Sequence, residues 1–303
     1  MREIQRRDAI ATNLEMVHRE RTFVAADKLR LFSRSWESPN QGRRAVLIIQ
    51  HGLKDHSGRY AELAHTLLAR GFAVYAMDLR GHGHSEGRRS YISNFNSLII
   101  DLKEFAGLIR EDNPAIPIFF FGHGLGAIIG ILATLQHAID FHGLILSAPA
   151  LAARENIPVW RMNITRLLGI ILPWLPWMNL PLQGFSLDPA TVADMEKDPA
   201  ISPGKVPVRT AAQLLKAMAI VPAEAPEFAA PVLVLQGTAD RLVNPAGSRN
   251  FYERIISSDK TLKLYPGLAH DLVHEPEKAE VIKAIVEWLD VRAPSRGQSI
   301  ESS

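Results

Sequence analysis

The chain has 303 residues, of which 47% are hydrophobic and 22% are charged, and this composition is typical of a globular protein with a packed core. The formal net charge of +2 gives no sign of a nucleic-acid partner, and the absence of cysteine excludes disulfides and a thiol nucleophile. The opening residues MREIQRRDAI contain no apolar run of the kind that a secretory signal needs. The sequence therefore predicts a cytoplasmic protein, built as one large domain with room for an insertion.

Alternating strand and helix patterns follow each other along most of the chain. Two strands around a turn at Asp27-Lys28 come first. Uninterrupted apolar runs, typical of parallel strands buried on both faces, then alternate with amphipathic helical patterns. The predicted strands after the hairpin are 45–50, 72–77, 118–121, 143–147, 231–236 and 261–265. The alternation predicts an α/β fold with a mostly parallel, doubly wound sheet.

This alternation breaks between residues 150 and 230, where proline, tryptophan and short helical pieces replace it and no strand is evident. We predict that this segment is a mainly helical cap over the carboxyl ends of the strands, where open α/β sheets place their sites. The predicted division is a core formed by 1–149 and 231–292, a cap at 150–230, and a disordered tail at 293–303.

A glycine-rich turn, Gly122-His123-Gly124-Leu125-Gly126, connects the central predicted strand to a helix that is apolar on most faces. A strand, a sharp turn and a buried helix are the setting of the nucleophile elbow, G-x-S-x-G. Here Gly124 occupies the position of the reacting serine. The sequence therefore predicts a hydrolase site without its nucleophile.

Other serines are poor substitutes. The pattern G-x-S-x-G also occurs around Ser85, but several loop residues separate it from the preceding strand and no helix begins after it. Ser57 and Ser147 have still less support. We therefore keep residue 124 as the nucleophile position.

Two further residues stand where a base and its orienting carboxylate are expected. Asp240 follows one predicted strand and His270 follows the last, which is the chain order Ser, Asp, His of this kind of site. The alternatives are a turn or capping aspartate and a solvated loop histidine, with His274 a second candidate for the base.

No metal or cofactor is predicted. The remaining histidines of these motifs lack a carboxylate or cysteine at the spacing of metal ligands. Those histidines are His51, His56, His82, His84 and His123.

Five segments together resemble one family. HGLKDHSGRY, DLRGHGHSEG, GHGLG, QGTADRLV and PGLAH, in this order within residues 20–290, are similar to the monoacylglycerol lipase and lysophospholipase branch of the serine hydrolases, related to the S33 aminopeptidases. The resemblance implies an α/β-hydrolase fold with a lid, and triad positions at Gly124, Asp240 and His270. It also implies that the backbone N–H groups of Leu53 and Leu125 form the oxyanion hole.

The resemblance further implies a small lipid ester as substrate, either an acyl glycerol or a lysophospholipid. As written, with Gly124, the chain should be inactive or nearly so. Two hypotheses stay open: a hydrolase disabled by substitution, and a natural pseudoenzyme that binds fatty-acyl ligands without hydrolysis.

The cap is rich in apolar side chains between residues 163 and 178, including Trp174 and Trp177. One interpretation is a lid that contacts the membrane surface through these tryptophans. The other is a cap that buries them against itself and the pocket. A spanning helix is not expected, because the run is short and interrupted by proline.

Overall fold

The structure is a computed structural model, and it describes residues 16–39, 42–154 and 157–295. The strands in these ranges are β1 (Val17–Val24), β2 (Arg30–Glu37), β3 (Ala45–Gln50), β4 (Phe72–Met77), β5 (Ile118–His123), β6 (Gly143–Ser147), β7 (Pro176–Met178), β8 (Val206–Pro207), β9 (Val232–Gly237) and β10 (Lys260–Tyr265). The α-helices are α1 (Ala61–Leu68), α2 (Phe95–Asp112), α3 (Leu125–Leu135), α4 (Val159–Ile171), α5 (Pro189–Lys197), α6 (Val208–Glu224), α7 (Pro245–Arg254) and α8 (Lys278–Arg292).

Eight of these strands form one sheet in the order β1-β2-β4-β3-β5-β6-β9-β10. The hairpin of β1 and β2 is antiparallel and pairs antiparallel with β4. From β4 to β10 all neighbours pair parallel. The predicted mostly parallel sheet is therefore confirmed, and the carboxyl ends of its parallel strands lie along one edge.

The central strands are buried on both faces because helices cover both sides of the sheet. Alternate residues of β3 point to opposite faces. Ile48 belongs to a core that includes residues of α2, α3 and α7, whereas Leu47 belongs to a second core with residues of α1 and α8. This two-sided burial explains why these strands are continuous apolar runs and not alternating ones.

The segment between β6 and β9 contains α4, α5 and α6, so the insertion is mainly helical. It also contains the antiparallel pair β7 and β8, and the expectation of no strand there was therefore wrong. The two strands are only three and two residues long and contain proline, which leaves no apolar alternation to detect. The boundaries of core and cap stay a prediction, and residues 296–303 of the predicted disordered tail lie outside the described residues.

Candidate active site

The turn between β5 and α3 gives residue 124 an unusual backbone. Gly124 has φ +54° and ψ −110°, a conformation that is strained for any residue with a side chain. Two residues further along, at Gly126, α3 passes very close to β3. A Cβ on Gly126 would lie only 2.2 Å from the backbone oxygen of Gln50, so this position has no room for a side chain. These two glycines let the helix begin immediately after the strand and bring residue 124 to the edge of the sheet.

His270 lies directly beside this turn. A Cβ built on Gly124 would lie 3.2 Å from the Nε2 atom of His270 and 3.9 Å from the Cα atom of Gly52. No hydroxyl group of the described residues is bonded to this Nε2 atom. Ser85 is held elsewhere: its Oγ donates to the backbone oxygen of Asp78 at 2.6 Å and accepts from the backbone N–H of Phe32. The geometry thus brings position 124, and none of the alternative serines, into contact with the imidazole.

Asp240 orients that imidazole from the other side. The Nδ1 atom of His270 donates to Oδ2 of Asp240 at 2.7 Å, and Oδ1 of the aspartate accepts the backbone N–H groups of Leu242 and Val243 at 2.8 and 2.9 Å. Asp240 is fully buried. The side-chain amide of Gln236 also donates to Oδ2, at 3.1 Å, so the carboxylate is fixed by four donors. The proton on Nδ1 leaves the Nε2 atom that faces Gly124 free to act as an acceptor.

Charge and burial oppose each other in this pair. Burial alone would lower the pKa of His270, but the negative charge and hydrogen bond of Asp240 outweigh it and raise that pKa above its ordinary value of 6.5. Burial alone would raise the pKa of Asp240, but the neighbouring imidazole and the hydrogen bonds lower it. The aspartate is therefore ionised at neutral pH.

Two residues that line the same space have backbone N–H groups without an acceptor among the described residues. Leu125 is the first residue of α3, so its N–H has no acceptor within the helix. The N–H of Leu53, in the loop after β3, has no hydrogen-bond acceptor among the described residues. Both leucines line one cavity with Gly124 and His270. A helix N-terminus and free N–H groups together favour a negatively charged oxygen.

This cavity has a volume of about 560 Å³. The cap provides much of its wall, and the side chains that it contributes are largely apolar. They are Ile157, Trp177, Met178, Leu180, Phe185, Leu214, Leu215 and Met218. The space is suited to an apolar chain whose polar end lies at Gly124 and His270.

The two cap tryptophans face different surroundings. Trp177 lines the cavity, whereas Trp174 is 49% exposed. Further large apolar side chains of α4 are also exposed, including Trp160, Ile170 and Ile171. The cap therefore has an apolar outer surface and an apolar inner wall, and within the described ranges no helix is long and apolar enough to cross a membrane.

Three of the other histidines have polar partners of their own. His51 donates through Nδ1 to the backbone oxygen of Gly52 and accepts the N–H of Leu79, while His56 contacts Asp198 at 2.8 Å. His274, the second candidate for the base, has both ring nitrogens bonded, to Asp271 and to the backbone oxygen of Arg59. It does not face Gly124.

Two more of these histidines lie in the loop after β4, and a third lies within the elbow. His82 contacts the backbone oxygen of Arg80, and the ring of His84 packs on Phe32. The ring of His123 lies beside that of His270, with centroids 4.7 Å apart and the two planes tilted by 57°, and burial lowers the pKa of His123 to about 4.

A buried charged cluster beside the site was not assigned any role from the sequence. Arg59 bridges Asp55 at 3.1 Å and Asp271 at 2.5 Å, and Tyr60 donates to Asp55 at 2.7 Å. Asp271 directly follows His270. The cluster therefore anchors the loop that carries the imidazole. In the sequence, the only indication of it was that the segment HGLKDHSGRY contains charged residues.

Comparison with known proteins gives a consistent result. Residues 41–277 match the model of the serine aminopeptidase S33 family. The chain is 33% identical over 270 residues to a monoacylglycerol lipase of Mycolicibacterium smegmatis, covering 89% of this chain and 96% of that protein. It is 34% identical over 277 residues to the human monoglyceride lipase, covering 90% of this chain and 91% of that protein.

A solved structure agrees in fold. The crystal structure of the Paleococcus ferrophilus monoacylglycerol lipase has a TM-score of 0.75 and 30% identity, with 92% of this chain and 99% of that chain covered. The family match covers well over half of the chain, and the sheet, helices and insertion agree with it. The chain belongs to the serine aminopeptidase S33 family of α/β hydrolases, with the monoacylglycerol lipases among its relatives.

Proposed function

We propose that this chain carries the site of a carboxylic ester hydrolase for acyl glycerols or lysophospholipids, in a form that lacks its nucleophile. In this proposal Gly124 is the nucleophile position, His270 the base and Asp240 its orienting carboxylate. The observation that carries it is the 3.2 Å distance from a Cβ on Gly124 to Nε2 of His270. A serine hydroxyl placed on that Cβ can reach hydrogen-bond distance of the imidazole.

The chemistry of the serine form follows from these positions. The hydroxyl attacks the ester carbonyl while His270 takes its proton, and the N–H groups of Leu53 and Leu125 donate to the oxyanion. Collapse of the tetrahedral intermediate expels the alcohol, which receives that proton from His270. Water activated by the same imidazole then hydrolyses the acyl-enzyme. Asp240 holds the ring and stabilises its charged form throughout.

Without a hydroxyl at residue 124 no acyl-enzyme forms. Removal of the serine of a triad costs on the order of a million-fold in turnover, and what remains comes from binding and the oxyanion hole. Leu53, Leu125 and His270 nevertheless line one cavity together with Gly124. A preserved cavity of this kind also supports the second candidate function, a pseudoenzyme that binds fatty-acyl ligands without hydrolysing them.

The decisive experiment is Gly124→Ser, assayed with monoacylglycerols, short p-nitrophenyl esters and a fluorophosphonate label. We expect ester turnover on the order of a thousandfold or more above that of Gly124→Ala, which adds the same Cβ without a hydroxyl. Labelling should appear only in the serine variant and should disappear when His270→Ala is added.

Absence of both hydrolysis and labelling in a folded Gly124→Ser variant would refute the ester-hydrolase site. Turnover by the unaltered chain at rates typical of enzymes would refute the assignment of residue 124. Tight binding of an intact ester by the unaltered chain, with no turnover, is the result expected of a pseudoenzyme.

We also propose that the cap contacts a membrane surface peripherally. The support is its exposed apolar side chains, with Trp174 among them, because tryptophan favours the headgroup region. Trp177 lines the cavity and takes no part in this contact. The cytoplasmic location stays a prediction from the sequence.

A further inference from the structure

The cavity at Gly124 has a strongly unbalanced charge. Its lining includes the side chains of Arg154, Arg161 and Arg241, and none of the described lining residues is an aspartate or glutamate. Apart from these arginines and His270, the lining residues within the described ranges are uncharged.

The three arginines are attached to segments that touch the site. Arg241 directly follows Asp240, the partner of His270. Arg154 lies four residues after Ala150, whose N–H donates to the backbone oxygen of Gly124 at 3.1 Å. A bridge between Ala153 and Val243 joins these two segments, so that the backbones at residues 154 and 241 lie near each other.

The third arginine lies on a helix of the cap. Arg161 is in the first turns of α4, and its backbone oxygen accepts the hydroxyl of Thr165, which also lines the cavity. Core and cap thus both contribute positive charge to one space. A ligand held between them can be contacted by guanidinium groups from both parts.

No carboxylate of the described residues neutralises these side chains, and none of the three forms an ion pair there. Arginines elsewhere behave differently, and many of them bind a carboxylate directly. They are Arg19, Arg30, Arg34, Arg43, Arg44, Arg59, Arg70, Arg80 and Arg292. Like charges around one cavity repel each other, and an anionic ligand relieves that repulsion.

We propose that the cavity selects monoacyl lipids with a phosphate-bearing, anionic headgroup, and that Arg154, Arg161 and Arg241 determine this specificity. Guanidinium groups match phosphate oxygens in geometry as well as charge. The apolar cap wall receives the acyl chain, and the ester lies at Gly124. In a lysophospholipid only a few bonds separate the ester from the phosphate, so both ends can be bound at once. This inference rests on the ester site proposed above.

The test measures binding to the unaltered chain by titration calorimetry, because the chain as written cannot turn the ligand over. The probes are 1-lauroyl-lysophosphatidylglycerol and neutral 1-lauroylglycerol, which share the acyl chain. We expect the phosphate lipid to bind about tenfold more tightly than 1-lauroylglycerol. This ratio of affinities should fall as the salt concentration is raised.

Substitution isolates the three side chains. Each single Arg→Gln change at 154, 161 or 241 should weaken binding of the phosphate lipid about twofold, as expected for exposed charge contacts, so that three such losses together account for the preference of about tenfold. The triple variant should bind both lipids equally, with binding of 1-lauroylglycerol unchanged. Arg166→Gln is the matched control, since Arg166 is an exposed arginine of the same helix that does not line the cavity.

Equal binding of the two lipids to the unaltered chain, or a preference that survives in the triple variant, would overturn the inference. Binding of dodecanoate provides a further comparison. If its affinity falls in the Arg→Gln variants as strongly as that of the phosphate lipid does, the ligand anion is a carboxylate and the phosphate assignment is wrong. Failure here is distinguishable from failure of the ester site, because Gly124→Ser would still hydrolyse 1-lauroylglycerol.

Discussion

Arg59 is the residue whose removal should reveal most about how the His270 loop is held. Its side chain is 11% exposed, and it separates two carboxylates, Asp55 and Asp271, whose side chains are 1% and 0% exposed. Arg59→Met keeps the aliphatic bulk but leaves both carboxylates buried without their cation. Breaking a buried ion pair in this way costs about 3–5 kcal/mol of unfolding free energy.

The pH dependence of stability provides a second test of the same prediction. Burial alone would raise the pKa of Asp55 and of Asp271, but the Arg59 charge outweighs it and holds both well below 3.8. In the unaltered protein their stabilising effect is therefore complete above pH 3.8 and is lost only as the pH falls through the lowered values. Without the arginine, the effect of burial dominates and the pKa values of both carboxyl groups rise. The folded variant then takes up protons as the pH falls, which removes the buried charges and reduces the loss of stability.

The assay is urea unfolding followed by tryptophan fluorescence at about pH 7 and about pH 5. We expect the unfolding free energy of Arg59→Met to be about 3–5 kcal/mol lower than that of the unaltered protein at the higher pH, and the difference to be clearly smaller at the lower pH. Arg70→Met is the control, because Arg70 pairs with Asp290 while 55% exposed and should cost less than about 1 kcal/mol. The reasoning would be refuted if Arg59→Met lost no more unfolding free energy than the control. It would also be refuted if the difference in unfolding free energy between Arg59→Met and the unaltered protein were as large at the lower pH as at the higher one.

Two further predictions concern the site and the cap. In Gly124→Ser, kcat/KM for an ester should rise with pH through a pKa above 6.5, because only the neutral imidazole of His270 accepts a proton and Asp240 raises its pKa. Adding Asp240→Asn should move this limb to lower pH; an unmoved limb would mean that another group titrates. Trp174→Ala should weaken binding to anionic liposomes, measured by co-sedimentation, whereas Trp177→Ala should leave it unchanged and weaken binding of 1-lauroylglycerol in the cavity. Equal effects of the two changes would contradict the separate surfaces.

Strand positions were the best-predicted part of the fold. The expected runs at 45–50, 72–77 and 143–147 coincide with β3, β4 and β6. Burial on both faces makes each strand an unbroken apolar run between polar turns, so its limits are visible locally. The ends of helices are less visible in the sequence, as at Arg254 where α7 ends, because a helix end depends on how its last turn packs and not on periodicity alone.

Placing the predicted site in space required little beyond the parallel sheet. Gly124, Asp240 and His270 each follow a strand, and the ends of parallel strands meet at one edge. The sequence also determined what is missing there, since a glycine at residue 124 has no hydroxyl to offer.

Tertiary structure alone decided which distant side chains share a space. Arg59 and Asp271 are 212 residues apart and yet bonded, and the arginines at 154, 161 and 241 line one cavity from three different segments. It also separated Trp174, on the outer surface, from Trp177, in the cavity wall. Loops and short cap elements carry no periodicity that fixes the direction of a side chain, so only their packing against the rest of the chain decides what each residue contacts.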